Sequence, residues 1–341
     1  TDPIITHSTK NGNIRKVKND KIDSKGIAKL GLSKDIPVSQ FPAKLVLELR
    51  SLTRKYYDLT DERSAHINKL KGDLHTVFPQ YLDVFCDVTG KTSTMILRQY
   101  GTPDKILRGH KKTMIEKISK ASRKGLAKAS ERYEKLCAAA NAAKTFGCQI
   151  DSIYFNIFLT LDLVEKLDSA LDSILNRIRQ LITFNKNEKF IQQIKLLNTI
   201  PGVGFLTAVT IMCEIGDFSA FRNPKQLFAY FGLDPEVNES GKFVGTQLHM
   251  SKRGSRIARR AIFAVALASI RTKRNGEGIN PYLRKYYELK SGQKPKMVAI
   301  GAVMHKVCNI VFAVLRDEKA FELRSPEEHC KQYQRPALAA A

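Results

Sequence analysis

DSIYFNIFLTLDLVEKLDSALDSILNRIRQLI, residues 151–182, decides what kind of fold this chain has. Ile157, Leu161, Val164, Leu167, Leu171, Ile174, Ile178 and Leu181 step by threes and fours. That spacing lines apolar side chains along one face of a long helix. Its mean of about 3.5, held over about four heptads, suits a coiled-coil seam, between molecules or within a hairpin. An ordinary amphipathic helix packed on its own domain gives the same pattern. Either way the architecture is mainly α.

Downstream, a polar break at Asn185–Glu188 precedes LLNTIPGVGFL (Leu196–Leu206) and TAVTIMCEI. Helix, Pro-Gly-Val-Gly, helix is the sequence form of a helix–hairpin–helix. Gly202 and Gly204 let backbone approach closely, and the free N–H groups opening the second helix suit a phosphate. A plain αα-turn with a glycine C-cap reads alike. Residues 231–250 are turn- and strand-rich and include Glu239-Ser240-Gly241. SKRGSRIARR (Ser251–Arg260) follows and leads into the apolar run Ala261–Ile270. From Ser251 to Gly276 there are eight basic residues and no acidic one. A last helix is predicted over 299–315, then a tail ending PALAAA.

Upstream, Leu45, Leu49, Leu52, Tyr56, Leu59, Ile67 and Leu70 describe one long amphipathic helix ending near Phe78–Pro79. Gly101-Thr102-Pro103 signals a helix start, and a lysine-rich helix is predicted beyond it. Nine basic and three acidic residues lie between Lys111 and Lys135, including Lys112, Arg123 and Lys124. The first 30 residues are polar and basic, and KVKNDKID (Lys16–Asp23) opens a short helix carrying Lys16 and Lys18.

The 341 residues hold 57 Lys and Arg against 33 Asp and Glu, a formal charge of +24. Small soluble domains usually carry a net charge of magnitude about 2–8. Self-repulsion of this size destabilises a compact state unless a polyanion screens it, and nucleic acid gains most from doing so because bound phosphates release counterions. No 18-residue apolar run or targeting segment is legible, so a membrane role is not expected. Six cysteines form no CxxC pair and sit near no histidine cluster, which argues against a disulfide framework or zinc site and for a reducing, cytoplasmic setting.

Four residues could carry chemistry. Asp20 and Asp23, three apart, share a helix face and could hold a hard cation such as Mg²⁺; acidic residues at a helix start also simply compensate its dipole. Ser240 could be a nucleophile if a base or metal activates it, or only a turn former. Ser251 is a second serine candidate, or an N-cap beside phosphate-contacting Lys252 and Arg253. His249 and His305 are isolated and read as structural.

Together and in this order, KVKNDKID, the two long helices, IPGVG, FAYFGLDPEVNESG, HMSKRG with Arg256, Arg259 and Arg260 after it, and GAVMHKV resemble transposases of the insertion sequence 110 family. The resemblance covers essentially the whole chain. It implies a remnant of an α/β RuvC-like (RNase H-like) domain with a long helix at 1–80. A basic helical and coiled-coil region at 81–190, a C-terminal transposase domain at 191–325 and a tail at 326–341 would follow. It also implies Asp20 and Asp23 as metal ligands with Mg²⁺, Ser240 as nucleophile, and DNA, both target and donor, as substrate. A non-coding bridge RNA would act as guide, and a homo-oligomer would form through the coiled-coil region of a prokaryotic, nucleoid-associated protein. The family's first two acidic residues, on an Asp-x-Ser/Thr strand and a later strand, have no counterpart before Asp20. The chain is therefore expected to be a truncated or decayed copy, and catalysis by it alone is in doubt. A site-specific DNA invertase and a catalytically dead nucleic-acid-binding remnant are the rival readings.

Overall fold

The computed structural model describes residues 42–186, 188–236, 249–325 and 327–328, the strand pairs 239–240 and 243–244, and positions 24, 25, 28 and 32. The chain divides into two compact units, Thr1–Val46 and Leu47–Ala341. In the first, the described residues are helical at Ser24, Lys25, Ala28 and Leu32, and a long helix begins at Lys44. The short helix expected from Lys16 falls mainly outside the described residues, as do Lys16, Lys18, Asp20 and Asp23.

The long amphipathic pattern upstream forms α1 (Lys44–Val77), 34 residues and about 51 Å at 1.5 Å per residue. The heptad stretch forms α7 (Asp151–Phe184), equally long. Between them lie α2 (Tyr81–Val84), α3 (Lys91–Gln99), α4 (Pro103–Arg108), α5 (Lys111–Ser122) and α6 (Leu126–Phe146). One core joins Leu70, Leu74 and Val77 of α1 to Ile96, Ile106, Met114, Ile118 and Leu136, and to Tyr154, Ile157 and Leu161 of α7. The alanine face of α6 (Ala129, Ala139, Ala140, Ala143) is buried in it and admits its neighbours closely. Ion pairs tie α7 to α1 (Arg63–Asp168) and to α3 (Arg98 to Asp162, 2.7 Å, and Glu165, 2.9 Å). Apolar positions of α7 thus pack on the chain's own helices, while Phe155, Leu159 and Leu163 stay exposed.

The single lysine-rich helix expected after Pro103 is three helices. Thr102 caps α4, accepting from the Lys105 N–H, and Gly109 ends it in extended backbone at ψ 143°. Arg123 in the left-handed region (φ 53°) then ends α5, and Gly125 starts α6. Helical periodicity survives such short breaks, so Gly109 and Gly125 were the signals to weigh.

Beyond residue 188 the chain builds a second helical core from α8 (Lys189–Leu197), α9 (Phe205–Ile215), α10 (Pro224–Tyr230), α11 (Arg256–Ser269), α12 (Pro281–Ser291) and α13 (Lys296–Asp317). Neither α10 nor α12 was expected; both open on an Asn N-cap followed by Pro. Helix α13 packs on α8, α10, α11 and α12. It is 22 residues long and apolar enough by composition to cross a membrane, but more than half of its apolar window is buried. Ile300, Val303, Val307, Val311 and Leu315 face the core, each burial worth about 1.5–3 kcal/mol. It is the central core helix of this part. The sheet content among the described residues is one antiparallel pair, β1 (Glu239–Ser240) with β2 (Phe243–Val244), in register Glu239 to Val244 and Ser240 to Phe243.

Candidate nucleic-acid interface

The segment between α10 and α11 carries the Ser240 hairpin, and its foot is two strands of chain locked backbone to backbone. Lys252 N–H donates to the Gly232 carbonyl (3.0 Å), Ser251 N–H to Asp234 (2.7 Å) and Glu236 N–H to His249 (2.7 Å). Gly254 lies so close to the opposite chain that a Cβ there would meet the Tyr230 carbonyl oxygen at 1.9 Å. Gly232 has φ +64°, and a Cβ on it would meet the Gly254 nitrogen at 2.5 Å. Only glycine fits both sides of this contact. Arg259 then staples the foot to α11, its Nη1 donating to the Gly254 (2.7 Å) and Phe231 (3.1 Å) carbonyls. Burial draws its guanidinium below the usual arginine value.

The sequence candidates fall into separate places. The backbone of Ser240 lies in β1, at the far end of the segment from the Gly232–Gly254 lock. Ser251 is not the N-cap: its hydroxyl bonds Asp234 Oδ1 at 2.6 Å, and Ser255 caps α11 by accepting from the Ala258 N–H. The chain needs four further residues after Ser251 to turn into the helix, which moves the cap to the next serine. Lys252 takes a left-handed conformation (φ 53°), rare for a residue with a Cβ, and presents an exposed side chain beside exposed Arg253. Gly202 does make a close approach, but to the protein itself. At φ +96° its missing Cβ leaves room for Ser269, whose Oγ donates to the Pro201 carbonyl at 3.1 Å. Gly204, at the N-cap of α9, faces open space. Lys112, Arg123 and Lys124 are exposed on the α5–α6 hairpin.

A polar face on α1 supports the α11 end and escaped the sequence reading. Arg50, Arg54, Tyr57 and Asp61 step by four, three and four, a helical face whose regularity was the available signal. Arg50 Nε donates to the Cys213 carbonyl of α9 at 2.7 Å. Arg54 grips Glu214 with two bonds of 2.9 Å, and the Glu214 side chain is only 2% exposed. Burial pushes that carboxyl up, but bonds from Arg54 and Ser255 and the charges of Arg54 and Arg50 outweigh it and hold it below its usual range. Tyr57 is pushed up by burial, opposed by a hydrogen bond with Thr210 and by Arg260. Arg260 stacks over the Tyr57 ring at 4.8 Å and pairs with Asp61 at 2.7 Å, while Arg256 reaches Asp61 at 3.4 Å. Among the described residues no group of three or more His, Cys, Asp or Glu side chains is arranged to hold a metal.

Two family models match the chain. The model described as the IS116/IS110/IS902 transposase family covers residues 194–288, and a transposase model of the IS110 DEDD type covers residues 1–79. The chain is 23% identical to the uncharacterised 43.6 kDa protein of insertion element IS110 from Streptomyces coelicolor, over 83% of this chain and 66% of that one. It is 30% identical to the pilin gene-inverting protein of Moraxella bovis over 52% of each. A third relative, the transposase for insertion sequence element IS1111A of Coxiella burnetii, is 26% identical over 53% of this chain and 50% of its own. The chain thus spans between half and two thirds of the length of these relatives.

Proposed function

Because the chain belongs to the IS110/IS116/IS902 transposase family, we propose that it recombines DNA through the Ser240 hydroxyl, with the 252–260 segment holding the phosphate backbone. The observation that carries this reading is the hairpin foot. A nucleophile must be held in place, and Ser240 stands in a segment whose base is fixed by main-chain contacts at Gly232 and Gly254, next to exposed Lys252, Arg253 and Arg256. Ser240 Oγ loses its proton to solvent and bonds a backbone phosphorus, the bond from that phosphorus to a deoxyribose oxygen breaks, and the leaving oxygen takes up a proton from solvent. The resulting phosphoserine ester keeps the bond energy needed for rejoining.

A serine hydroxyl is a weak nucleophile without help. Asp20 and Asp23 are hard oxygen donors of the kind Mg²⁺ takes, but two carboxylates fill only part of an octahedral shell. A divalent ion completed by further oxygens would lower the hydroxyl pKa and polarise the phosphate. What this chain's own residues supply is backbone positioning by Arg259 and Gly254 and cationic contact by Lys252, Arg253 and Arg256.

Two cationic surfaces, the α5–α6 hairpin and the 252–260 segment, support more than one polyanion: target and donor DNA, and a guide RNA pairing with them. Exposed Phe155, Leu159 and Leu163 on α7 support a homo-oligomer through that helix. The 30% identity to a pilin gene-inverting protein supports a second reading, inversion of a DNA segment by the same serine chemistry.

The test incubates the protein with supercoiled DNA and Mg²⁺ and looks for a protein–DNA adduct that survives denaturation. Ser240→Ala is expected to abolish it. An adduct persisting at wild-type yield in that variant overturns the assignment.

A further inference from the structure

We infer that Asp61 sets the DNA discrimination of the 252–260 segment, its carboxylate standing between Arg256 and Arg260 where a backbone phosphate binds. The inference rests on the reading of these arginines as phosphate contacts. Asp61 Oδ1 lies 2.7 Å from Arg260 Nη1 and its Oδ2 3.4 Å from Arg256 Nη2. A carboxylate offers a guanidinium the same pair of oxygens that a phosphate does, so the two compete for one place.

The three side chains are unequally held. Arg260 is fixed by stacking on Tyr57, whose hydroxyl is engaged by Thr210. Arg256 is 81% exposed and makes the longer contact. Asp61 itself is 47% exposed, so water is within reach of its carboxylate. Exposed pairs of this kind shift an equilibrium by no more than about five-fold. That is small against a multi-phosphate contact and comparable to one isolated phosphate.

The location fits the role. No acidic residue lies between Ser251 and Gly276, so neutralisation has to come from elsewhere in the fold. Among the described residues, Asp61 is the carboxylate that ion-pairs with Lys252–Arg260. A chain carrying +24 binds any nucleic acid unless something penalises poor contacts. A carboxylate that each phosphate must displace is such a penalty, and it favours substrates that engage the whole segment at once.

The test measures binding of a labelled DNA duplex of unrelated sequence by fluorescence anisotropy across salt concentration. Asp61→Asn is expected to bind about two- to five-fold tighter at low salt. Its slope of log affinity against log salt is expected to steepen by about 0.9 to 1.8, for one or two added phosphate contacts. Glu62→Gln on the same helix removes the same charge from an exposed position and is the control. Equal effects of the two substitutions overturn the inference, because bulk charge would then explain both. A wild-type slope near zero would instead remove the underlying phosphate reading. A cycle with Arg256→Ala separates competition from loosening of the fold: its cost in affinity is expected to be larger in the Asp61→Asn background. An equal cost in both backgrounds overturns the inference.

Discussion

Glu214→Gln probes the join between α1 and the C-terminal core. In the wild type the carboxylate receives two Arg54 bonds of 2.9 Å, and its side chain is 2% exposed while that of Arg54 is 51% exposed. Removing one partner of a fully buried pair costs about 3–5 kcal/mol, because the other charge is stranded. Here the stranded group is Arg54, and it is half in water already, so it rehydrates in place. Gln also keeps one acceptor oxygen for the guanidinium. The loss therefore falls to about 2 kcal/mol, or about 3 °C in melting temperature for a chain of this size. Thermal unfolding followed by circular dichroism measures it. The pH dependence gives a second check. A carboxyl whose folded pKa lies below its usual 4.5 contributes stability above that value and loses it as pH falls through the folded pKa. The gap between wild type and variant should begin to close as pH falls below the usual carboxyl value of 4.5. A variant that melts within 1 °C of wild type at neutral pH, or a gap that does not narrow in acid, refutes this account of the join.

Two further substitutions test the other joins. Gly254→Ala drives a Cβ to 1.9 Å from the Tyr230 carbonyl oxygen, a clash only backbone movement relieves; a loss of about 3 kcal/mol with loss of adduct formation is expected, and an unchanged melting temperature would deny the interlock. Replacing Phe155, Leu159 and Leu163 together by serine is expected to lower the mass measured by light scattering; an unchanged mass leaves the α7 stripe as surface without a partner.

The long-range outline was legible in the sequence because it depends on period. α1 and α7 were readable from apolar spacing alone, and the break at 185–188 and the Pro-Gly-Val-Gly turn fell where the polar and glycine signals put them. What the spacing does not reveal depends on residues far apart in sequence. Gly202 permits the close backbone approach its motif predicts, and the group approached is Ser269, 67 positions on. Ser251, a serine candidate or a cap by sequence, has its hydroxyl on Asp234, 17 positions back, and Ser255 makes the cap. Arg259 belongs to the basic run after Ser251, and its Nη1 binds the carbonyls of Phe231, 28 positions back, and of Gly254, a partnership that the run does not reveal. Charge content is local information, whereas the assignment of each charge is tertiary.

That assignment divides the polar face of α1 into two kinds of ion pair with opposite consequences. Arg54 and Asp61 lie seven residues apart, two turns on one face, and both reach across to the C-terminal core. Arg54 meets a carboxylate withdrawn from water, which no solvated phosphate can reach, so that pair fixes the register of α1 against α9. Asp61 meets arginines at the surface, so nucleic acid can take its place and the pair sets affinity. The two substitutions should therefore separate cleanly. Glu214→Gln is expected to lower the melting temperature and leave the salt slope of duplex binding unchanged. Asp61→Asn is expected to change the slope and move the melting temperature by no more than about 2 °C. If Glu214→Gln shifts the slope as far as Asp61→Asn does, burial does not distinguish the two pairs and α1 acts as one electrostatic unit.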